Sequence, residues 1–165
     1  MNKAAGMVRG SAPKGLLRLF LRCPILLYRL HLGWLLGHRF LLLTHIGRHS
    51  GVPRHTVLEV VSYQNTRQRC VIASGWGEQA QWFKNIIANP NVEITLGIHK
   101  YPAKARRMEA AEAEHELREY ASRHPWSMKQ LYRSMLGQPF HGQDADFQQL
   151  AAQVPLVELQ FPAVS

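Results

Sequence analysis

The stretch Arg39–Thr56, with the sequence RFLLLTHIGRHSGVPRHT, constrains the fold of this chain most strongly. An apolar run over Phe40–Leu43 leads into a turn rich in glycine and arginine, and a second apolar run follows over Val57–Val61. Two short apolar runs around such a turn are typical of a β-hairpin. Gly47 and Gly51 argue against a helix here. The pattern therefore predicts a strand, a basic turn and a second strand.

The turn itself holds residue types that bind anions. Arg48 and Arg54 supply guanidinium groups, and Ser50 supplies a hydroxyl. Guanidinium groups pair bidentately with phosphate or carboxylate, and glycines let backbone N–H groups approach a ligand closely. Short motifs also arise by chance, so a hairpin with a solvated basic tip explains these residues equally well.

Length and charge bound the remaining choices. The chain has 165 residues, enough for one domain over residues 1–165, and a net charge of +9. No Asp or Glu precedes Glu59, so the whole excess of positive charge lies in the N-terminal third. This asymmetry favours an anionic partner for that part, namely nucleic acid, a membrane surface or a phosphorylated ligand, although it could also serve solubility alone. Two cysteines, Cys23 and Cys70, form no disulfide framework and indicate a reducing, cytoplasmic setting.

The N-terminal segment precedes the hairpin. Residues 1–13 are predicted to be a disordered tail, and residues 14–36 to be basic amphipathic helices with several arginines on one face. These arginines interrupt the apolar run, so it is not a membrane span. Either the apolar face packs on the domain, or residues 14–23 lie on an anionic membrane surface. The predicted location is cytoplasmic, with peripheral contact at the inner membrane face as the alternative.

The rest of the chain predicts a single α+β domain. Sequential antiparallel strands with short turns favour a meander that curls into a small barrel. The predicted strands are Phe40–Ile46, Val57–Tyr63, Arg67–Ser74, Val92–Leu96, His99–Met108 and Val154–Phe161. The predicted helices are Gln79–Asn89, Glu109–Arg123 and Trp126–Leu136, and Asp146–Gln153 is predicted to be a short helix or a turn.

Several kinds of site lack support. His45, His49 and His55 have no nearby cysteine or carboxylate to complete a typical metal site, so we predict no metal. Ser50 beside a histidine does not form a nucleophile elbow, and there is no dinucleotide-binding or P-loop motif. The chain is basic, but its aromatic residues are not interleaved with basic ones as in nucleic-acid-binding modules. We therefore predict no nucleic-acid partner.

Three spaced motifs, taken together, are more specific than the turn alone. LLLTHIGRHSGVPRHTVL is followed by VIASGWG, then by QWFKNIIANPNVEI, and then by the basic strand YPAKARRM. In this order they resemble the deazaflavin-dependent nitroreductase family, part of the wider flavin and deazaflavin oxidoreductases. The resemblance covers about residues 36–110. It implies a six-stranded, mainly antiparallel split β-barrel of the FMN-binding type with flanking helices.

The resemblance also implies a site and a reaction. In the family, the basic turn holds the phosphate-bearing tail of the cofactor, the following strand end and glycine turn lie along its ring, and helix positions stand beside it. The implied cofactor-binding residues are Arg48, His49, Ser50, Arg54, Ala73, Ser74, Gly75, Trp76, Gly77, Trp82 and Asn85. The implied substrate pocket holds Trp126 and Tyr132, and the proton for the reaction comes either from solvent or from Tyr132.

The expected function is hydride transfer from reduced coenzyme F420, or from FMN or FAD, to a small unsaturated, nitro or quinone-like acceptor. The choice of cofactor stays open because F420-using members most often have lysine at the position of His49. Trp76 either stacks on the cofactor ring or packs in the barrel. Related split-barrel flavoproteins are often dimers, which implies a homodimer. The alternative function is a non-catalytic flavin- or lipid-binding protein at a membrane surface.

Overall fold

A computed structural model describes residues 39–162 of the chain. The predicted tail of residues 1–13 and the predicted basic helices of residues 14–36 lie outside the described residues. The described strands are β1 (Phe40–Ile46), β2 (Pro53–Gln64), β3 (Arg69–Ala73), β4 (Asn91–Leu96), β5 (His99–Arg107) and β6 (Leu156–Gln160). The described α-helices are α1 (Gln81–Ala88), α2 (Ala110–Arg123), α3 (Pro125–Leu136) and α4 (Asp144–Gln153).

The six strands form a closed barrel in the order β1-β2-β3-β6-β5-β4. Every neighbouring pair is antiparallel, and the pairing of β1 with β4 closes the barrel. Each of the six described strands therefore has a neighbouring strand on both sides. The predicted six-stranded antiparallel barrel with flanking helices is therefore confirmed.

Alternating side chains fill the barrel. Along β1, Leu41, Leu43 and His45 are buried while their neighbours are only partly covered. Leu41 and Leu43 form an interior cluster with Cys70 and Ile72 of β3 and with apolar residues of α1. A period of two places one face of each strand inside, and burial of these apolar side chains stabilises the barrel.

A second apolar cluster lies between the outside of the barrel and the helices α2, α3 and α4. Val71 and Leu156 face outward from β3 and β6 into it, and Leu117 and Leu150 meet them from α2 and α4. Local signals fix these helices: Pro125 stands in the first turn of α3, and Gly137 ends that helix with a φ of +69°. One side of the barrel is thus covered by helices.

Strand β2 begins earlier than its apolar run predicts. It starts at Pro53 instead of Val57, because backbone pairing with β1 continues to the pair Ile46 and Pro53. His45 stands opposite Arg54 in this extension. The backbone of Arg54 is consequently fixed by strand pairing directly after the turn.

A largely buried ion-pair network joins the barrel to α2. Arg69 of β3 pairs with Glu116 of α2 at 2.6 Å and also with Glu158 of β6. Arg106 of β5 pairs with Glu158 at 3.2 Å and with Glu112 at 2.9 Å. Because two carboxylates pair with Arg69, the positive charge of its buried guanidinium group is compensated.

None of the helices within residues 39–162 has the length and apolar character needed to cross a membrane.

Candidate cofactor site

The basic turn between β1 and β2 is closed by its own backbone. The N–H of Gly47 donates to the carbonyl of Val52 at 3.0 Å, and the N–H of Gly51 donates to the carbonyl of Gly47 at 2.8 Å. Gly51 has a φ of +65°, a conformation that glycine adopts without strain. A Cβ at Gly47 would lie 2.6 Å from Ser50 Oγ and 3.2 Å from Arg54 Nε. Glycine at position 47 therefore lets the Ser50 and Arg54 side chains close over the turn.

Arg48 ties this turn to helix α1. Its backbone N–H donates to Asn85 Oδ1 at 3.2 Å, and its Nη1 donates to the same oxygen at 2.9 Å. Its Nη2 donates to Gln81 Oε1 at 3.0 Å. Both acceptors are neutral amides, so the guanidinium is oriented while its positive charge is retained.

Asn85 passes the connection on to a buried histidine. Its Nδ2 lies 3.1 Å from Nδ1 of His45, and both residues are buried. The amide oxygen of Asn85 already accepts from Arg48, so its nitrogen faces His45 as a donor. His45 Nδ1 must then be the acceptor, with the ring proton on Nε2 near Thr56 Oγ1 at 3.5 Å. Burial, followed by repulsion from His55 and Arg54, lowers the pKa of His45 from 6.5 to about 4. The ring is neutral at physiological pH.

The turn has a positive charge that no carboxylate cancels. Arg54 Nη2 lies 3.5 Å from Ser50 Oγ, and that hydroxyl also accepts from the N–H of Val52 at 3.4 Å. Within residues 39–162, neither Arg48 nor Arg54 forms an ion pair with Asp or Glu. His49 is exposed beside them. This donor set suits an anionic group such as phosphate.

The second predicted part of the site is the turn between β3 and α1. Ser74 is fully buried, and its hydroxyl donates to the carbonyl of Gly77 at 2.6 Å. The N–H of Gly77 returns a bond to the carbonyl of Ser74 at 2.9 Å, and Gly77 has a φ of +60°. These bonds shape a tight turn directly before α1. Trp76 at its tip is 60% exposed, so it is not a packed barrel residue.

Helix α1 brings the two parts into one region, because it contacts Arg48 and directly follows the Trp76 turn. The other predicted helix residue, Trp82, is only 5% exposed and packs edge-to-face on Phe83. Its side chain therefore belongs to the interior cluster, and its predicted contact with the cofactor stays a prediction.

The two predicted substrate-pocket residues lie in different environments on α3. Trp126 is 70% exposed. Tyr132 is 1% exposed, and its hydroxyl lies 3.2 Å from Asp146 Oδ1 and 3.0 Å from Gln149 Oε1. Burial and the neighbouring Asp146 raise the pKa of Tyr132. The hydroxyl is thus held inside the helical cluster, and the role of Tyr132 as proton donor stays a prediction.

A groove of about 230 Å³ opens between β2 and the helices α2 and α3. Its lining includes Ser62, Tyr120, His124 and Ser127. Ser62 is 4% exposed, and its Oγ has no hydrogen-bond partner within the described part of the chain. An unpaired buried hydroxyl is costly and can be satisfied by a ligand.

The described residues include side chains of the types that bind metal ions. Residues 39–162 contain no group of three or more His, Cys, Asp or Glu side chains arranged to hold a metal ion.

The closed six-stranded antiparallel barrel with its helices defines a protein of the split-barrel class. The sequence of residues 31–137 matches the model of the F420H(2)-dependent quinone reductase family, and this match covers more than half of the chain. The chain belongs to this family. Membership confirms the resemblance to deazaflavin-dependent reductases and confirms coenzyme F420, rather than FMN or FAD, as the cofactor of the family.

Solved structures share the fold at low sequence identity. An F420-H2-dependent reductase, FDR-A, superposes with a TM-score of 0.52 at 21% identity, over 75% of this chain and 96% of that one. A domain-swapped dimer gives a TM-score of 0.51 at 21% identity, over 75% and 81%. A pyridoxamine 5′-phosphate oxidase-related, FMN-binding protein from Nostoc punctiforme gives 0.51 at 14% identity, over 92% and 82%. These likenesses support the split-barrel fold.

Curated relatives match only a short segment. Uracil-DNA glycosylases from Bacillus anthracis are 40% identical over 53 residues, which is 32% of this chain. The chain spans about a quarter of the length of these relatives, 24%.

Among the described residues, the turn offers two guanidinium groups and a hydroxyl without a paired carboxylate, and this donor set is chemically compatible with the anionic end of the family's cofactor. Sequence reasoning did not assign Gln81, His45 or Ser62 to a site. His45 was considered only as a metal ligand. The alternation of Leu41, Leu43 and His45 was the available signal that this histidine points inward.

Proposed function

We propose that this protein is a reductase that oxidises reduced F420 and reduces a quinone or a related unsaturated or nitro compound. The observation that carries the proposal is the orientation of Arg48, which is held by Asn85 and Gln81 without losing its charge. A positioned and uncompensated arginine is suited to bind a phosphate group. Family membership supports the choice of cofactor.

The residues of the turn act as the anchor for the cofactor. Arg48, Arg54 and Ser50 bind its phosphate-bearing tail, with His49 at the rim. Trp76 covers its ring from the exposed tip of the second turn, and the backbone of Ala73–Gly77 lies along its edge. The bound cofactor supplies the hydride. The protein supplies position and an environment of fixed dipoles.

The acceptor would occupy the groove between β2 and the helices α2 and α3. Val60 of β2 pairs with Ile72 of β3, so the groove and the Ala73–Gly77 turn are built on adjacent strands. The Ser62 hydroxyl is unpaired but enclosed, so it would donate to a carbonyl oxygen of a quinone only after the wall of the groove shifts. Trp126 lies one residue before Ser127, which lines the groove, and would cover its entrance.

The remaining partner predictions are carried forward as proposals. A homodimer agrees with the dimeric form of one structural neighbour. Contact with an anionic membrane surface would bring the protein close to lipid-soluble quinones, and it would depend on the basic residues before Arg39. The cytoplasmic location stays a prediction from cysteine content.

A turnover assay tests the function. Purified protein is mixed with reduced F420 and with a quinone or a nitro compound, and the return of oxidised F420 is followed by absorbance. The proposal expects protein-dependent oxidation that saturates with acceptor. Binding of F420 without any turnover over a panel of acceptors would instead favour the non-catalytic ligand-binding alternative. No binding of F420 would contradict the proposal outright.

A further inference from the structure

His45, Asn85 and Arg48 form a continuous chain of hydrogen bonds from the barrel interior to the basic turn. The distances are 3.1 Å from Asn85 Nδ2 to His45 Nδ1 and 2.9 Å from Arg48 Nη1 to Asn85 Oδ1. His45 is 3% exposed and Asn85 is 4% exposed, while Arg48 is exposed at the other end. A buried polar pair thus supports the exposed residue that would meet the ligand.

These hydrogen bonds form in only one arrangement of donors and acceptors. The Arg48 N–H and guanidinium both donate, so they need the oxygen of Asn85. The nitrogen of Asn85 then needs an acceptor on its buried side, and Nδ1 of His45 is that acceptor. If His45 offered a proton there, two donors would face each other, and Asn85 would have to turn its oxygen away from Arg48.

We propose that His45 is a positioning residue: as a neutral acceptor it fixes the amide of Asn85, and Asn85 in turn holds Arg48 in place for the anionic end of the cofactor. This inference rests on the proposed F420 site at the turn. His45 itself touches neither the cofactor nor the acceptor in this account. Its contribution is the orientation of one side chain on α1.

The surroundings of His45 favour the neutral ring. Arg54 stands opposite it on β2, and both Arg54 and the adjacent His55 disfavour a positive charge on the ring. Arg48 lies beyond Asn85 on the side of the turn, and α1 presents the neutral amide. On β4, Glu93 stands opposite the neighbouring Thr44 and pairs with Lys100 at 3.7 Å. The charges around the ring therefore oppose a second proton on it.

The arrangement can be tested without any cofactor. In ¹⁵N-labelled protein at neutral pH, the account expects His45 Nδ1 to be unprotonated and Nε2 to carry the proton. In His45→Leu, hydrogen exchange of the Arg48 amide should accelerate, because Asn85 no longer holds it. The Gly51 amide of the same turn donates to the Gly47 carbonyl and serves as the matched control, with unchanged exchange. A proton on Nδ1 of the wild-type protein would overturn the proposal.

Cofactor affinity provides the second test. His45→Leu removes the acceptor, whereas His45→Asn keeps an oxygen near the position of Nδ1. The account expects F420 binding to weaken roughly 10-fold in His45→Leu and to recover largely in His45→Asn. In the Arg48→Ala background, His45→Leu should cause little further loss, because its effect passes through Arg48. Equal losses in the presence and absence of Arg48 would overturn the proposal.

The outcomes separate this inference from the proposed function. If the wild-type protein does not bind F420, the proposed function fails, while the nitrogen shifts and the Arg48 amide exchange still decide the role of His45. If the wild type binds F420 and His45→Leu binds it equally well, the function stands and the positioning role fails.

Discussion

Asn85 on α1 accepts two hydrogen bonds from Arg48, a residue 37 positions earlier in the chain, through the backbone N–H and the guanidinium. This single amide oxygen fixes both the path of the basic turn and the direction of its first arginine. Asn85→Ala should therefore weaken F420 binding by roughly 10-fold or more, even though the side chain of Asn85 is uncharged. Equilibrium fluorescence titration measures the change.

The matched control for Asn85→Ala is Asn91→Ala. Asn91 is exposed at the start of β4, where it stands opposite Lys104 of β5. Affinity for F420 should stay at the wild-type value in this variant. Equal affinity in Asn85→Ala and in the control would remove the role of Asn85.

The buried His45 should make the protein less stable in acid. Its pKa is about 4 in the folded chain and about 6.5 when unfolded, so the unfolded state takes up the proton first as pH falls. The free energy of unfolding should decrease as pH falls from about 6.5 to about 4. Below about pH 4, His45 should cause no further decrease. Urea denaturation at a series of pH values measures the slope.

His45→Asn isolates this contribution, since asparagine does not titrate. The difference in stability between the wild type and the variant should shrink or reverse as pH falls from 6.5 to 4. Parallel pH profiles for the two proteins would mean that His45 titrates normally in the folded chain.

Arg69 should matter for stability and not for cofactor binding. Arg69→Ala would leave the buried Glu116 without its cation, and it would leave Glu158 with Arg106 alone. The expected loss is about 3 kcal/mol in the free energy of unfolding. Lys100→Ala removes an exposed ion pair with Glu93 and should change stability little. Chemical denaturation of both variants checks the contrast, and similar losses would contradict it.

Tyr132→Phe tests whether the buried hydroxyl takes part in turnover. The structure predicts a loss of about 1 kcal/mol in stability, because the hydroxyl no longer contacts Asp146 and Gln149. The turnover number with reduced F420 should stay near that of the wild type. A large fall in turnover with unchanged stability would support Tyr132 as proton donor.

Gly47→Ala tests the close packing of the turn. The new methyl group would lie 2.6 Å from Ser50 Oγ, so the serine must rotate away from Arg54. F420 affinity should fall several-fold while the melting temperature changes little. Ala111→Ser is a control for a small added volume, because Ala111 is exposed on α2 and is not part of the proposed site. The idea fails if Gly47→Ala binds F420 as the wild type does.

Local patterns predicted most of the fold. The alternation along β1 and the turn residues after it determine strand, turn and strand, and the apolar spacing of α2 and α3 predicts helices close to their observed bounds. The start of β2 at Pro53 could not be read this way. Its first residues are exposed, and they join the strand only through pairing with β1.

The charged residues of the candidate site could be predicted from the sequence, but the hydrogen bonds that position them could not. Arg48, Ser50 and Arg54 lie within one short motif, so their common role is visible in the sequence. The bonds from Arg48 to Asn85 and from Asn85 to His45 span 37 and 40 positions, and only the closed barrel brings these residues together. Trp82 could not be assigned from the sequence alone. Its helical spacing is compatible both with a cofactor contact and with a place in the apolar core, and in the structure its side chain is buried.

The central claim is that the basic turn holds the anionic end of F420. Titration of F420 into the wild type, into Arg48→Ala/Arg54→Ala and into the control Arg67→Ala/Lys100→Ala tests it most directly. The control removes two positive charges distant in sequence from the turn, one after β2 and one on β5. We predict micromolar binding by the wild type and the control, and a loss of roughly 100-fold in the turn variant with the barrel still folded. Equal affinity in all three proteins would contradict the account.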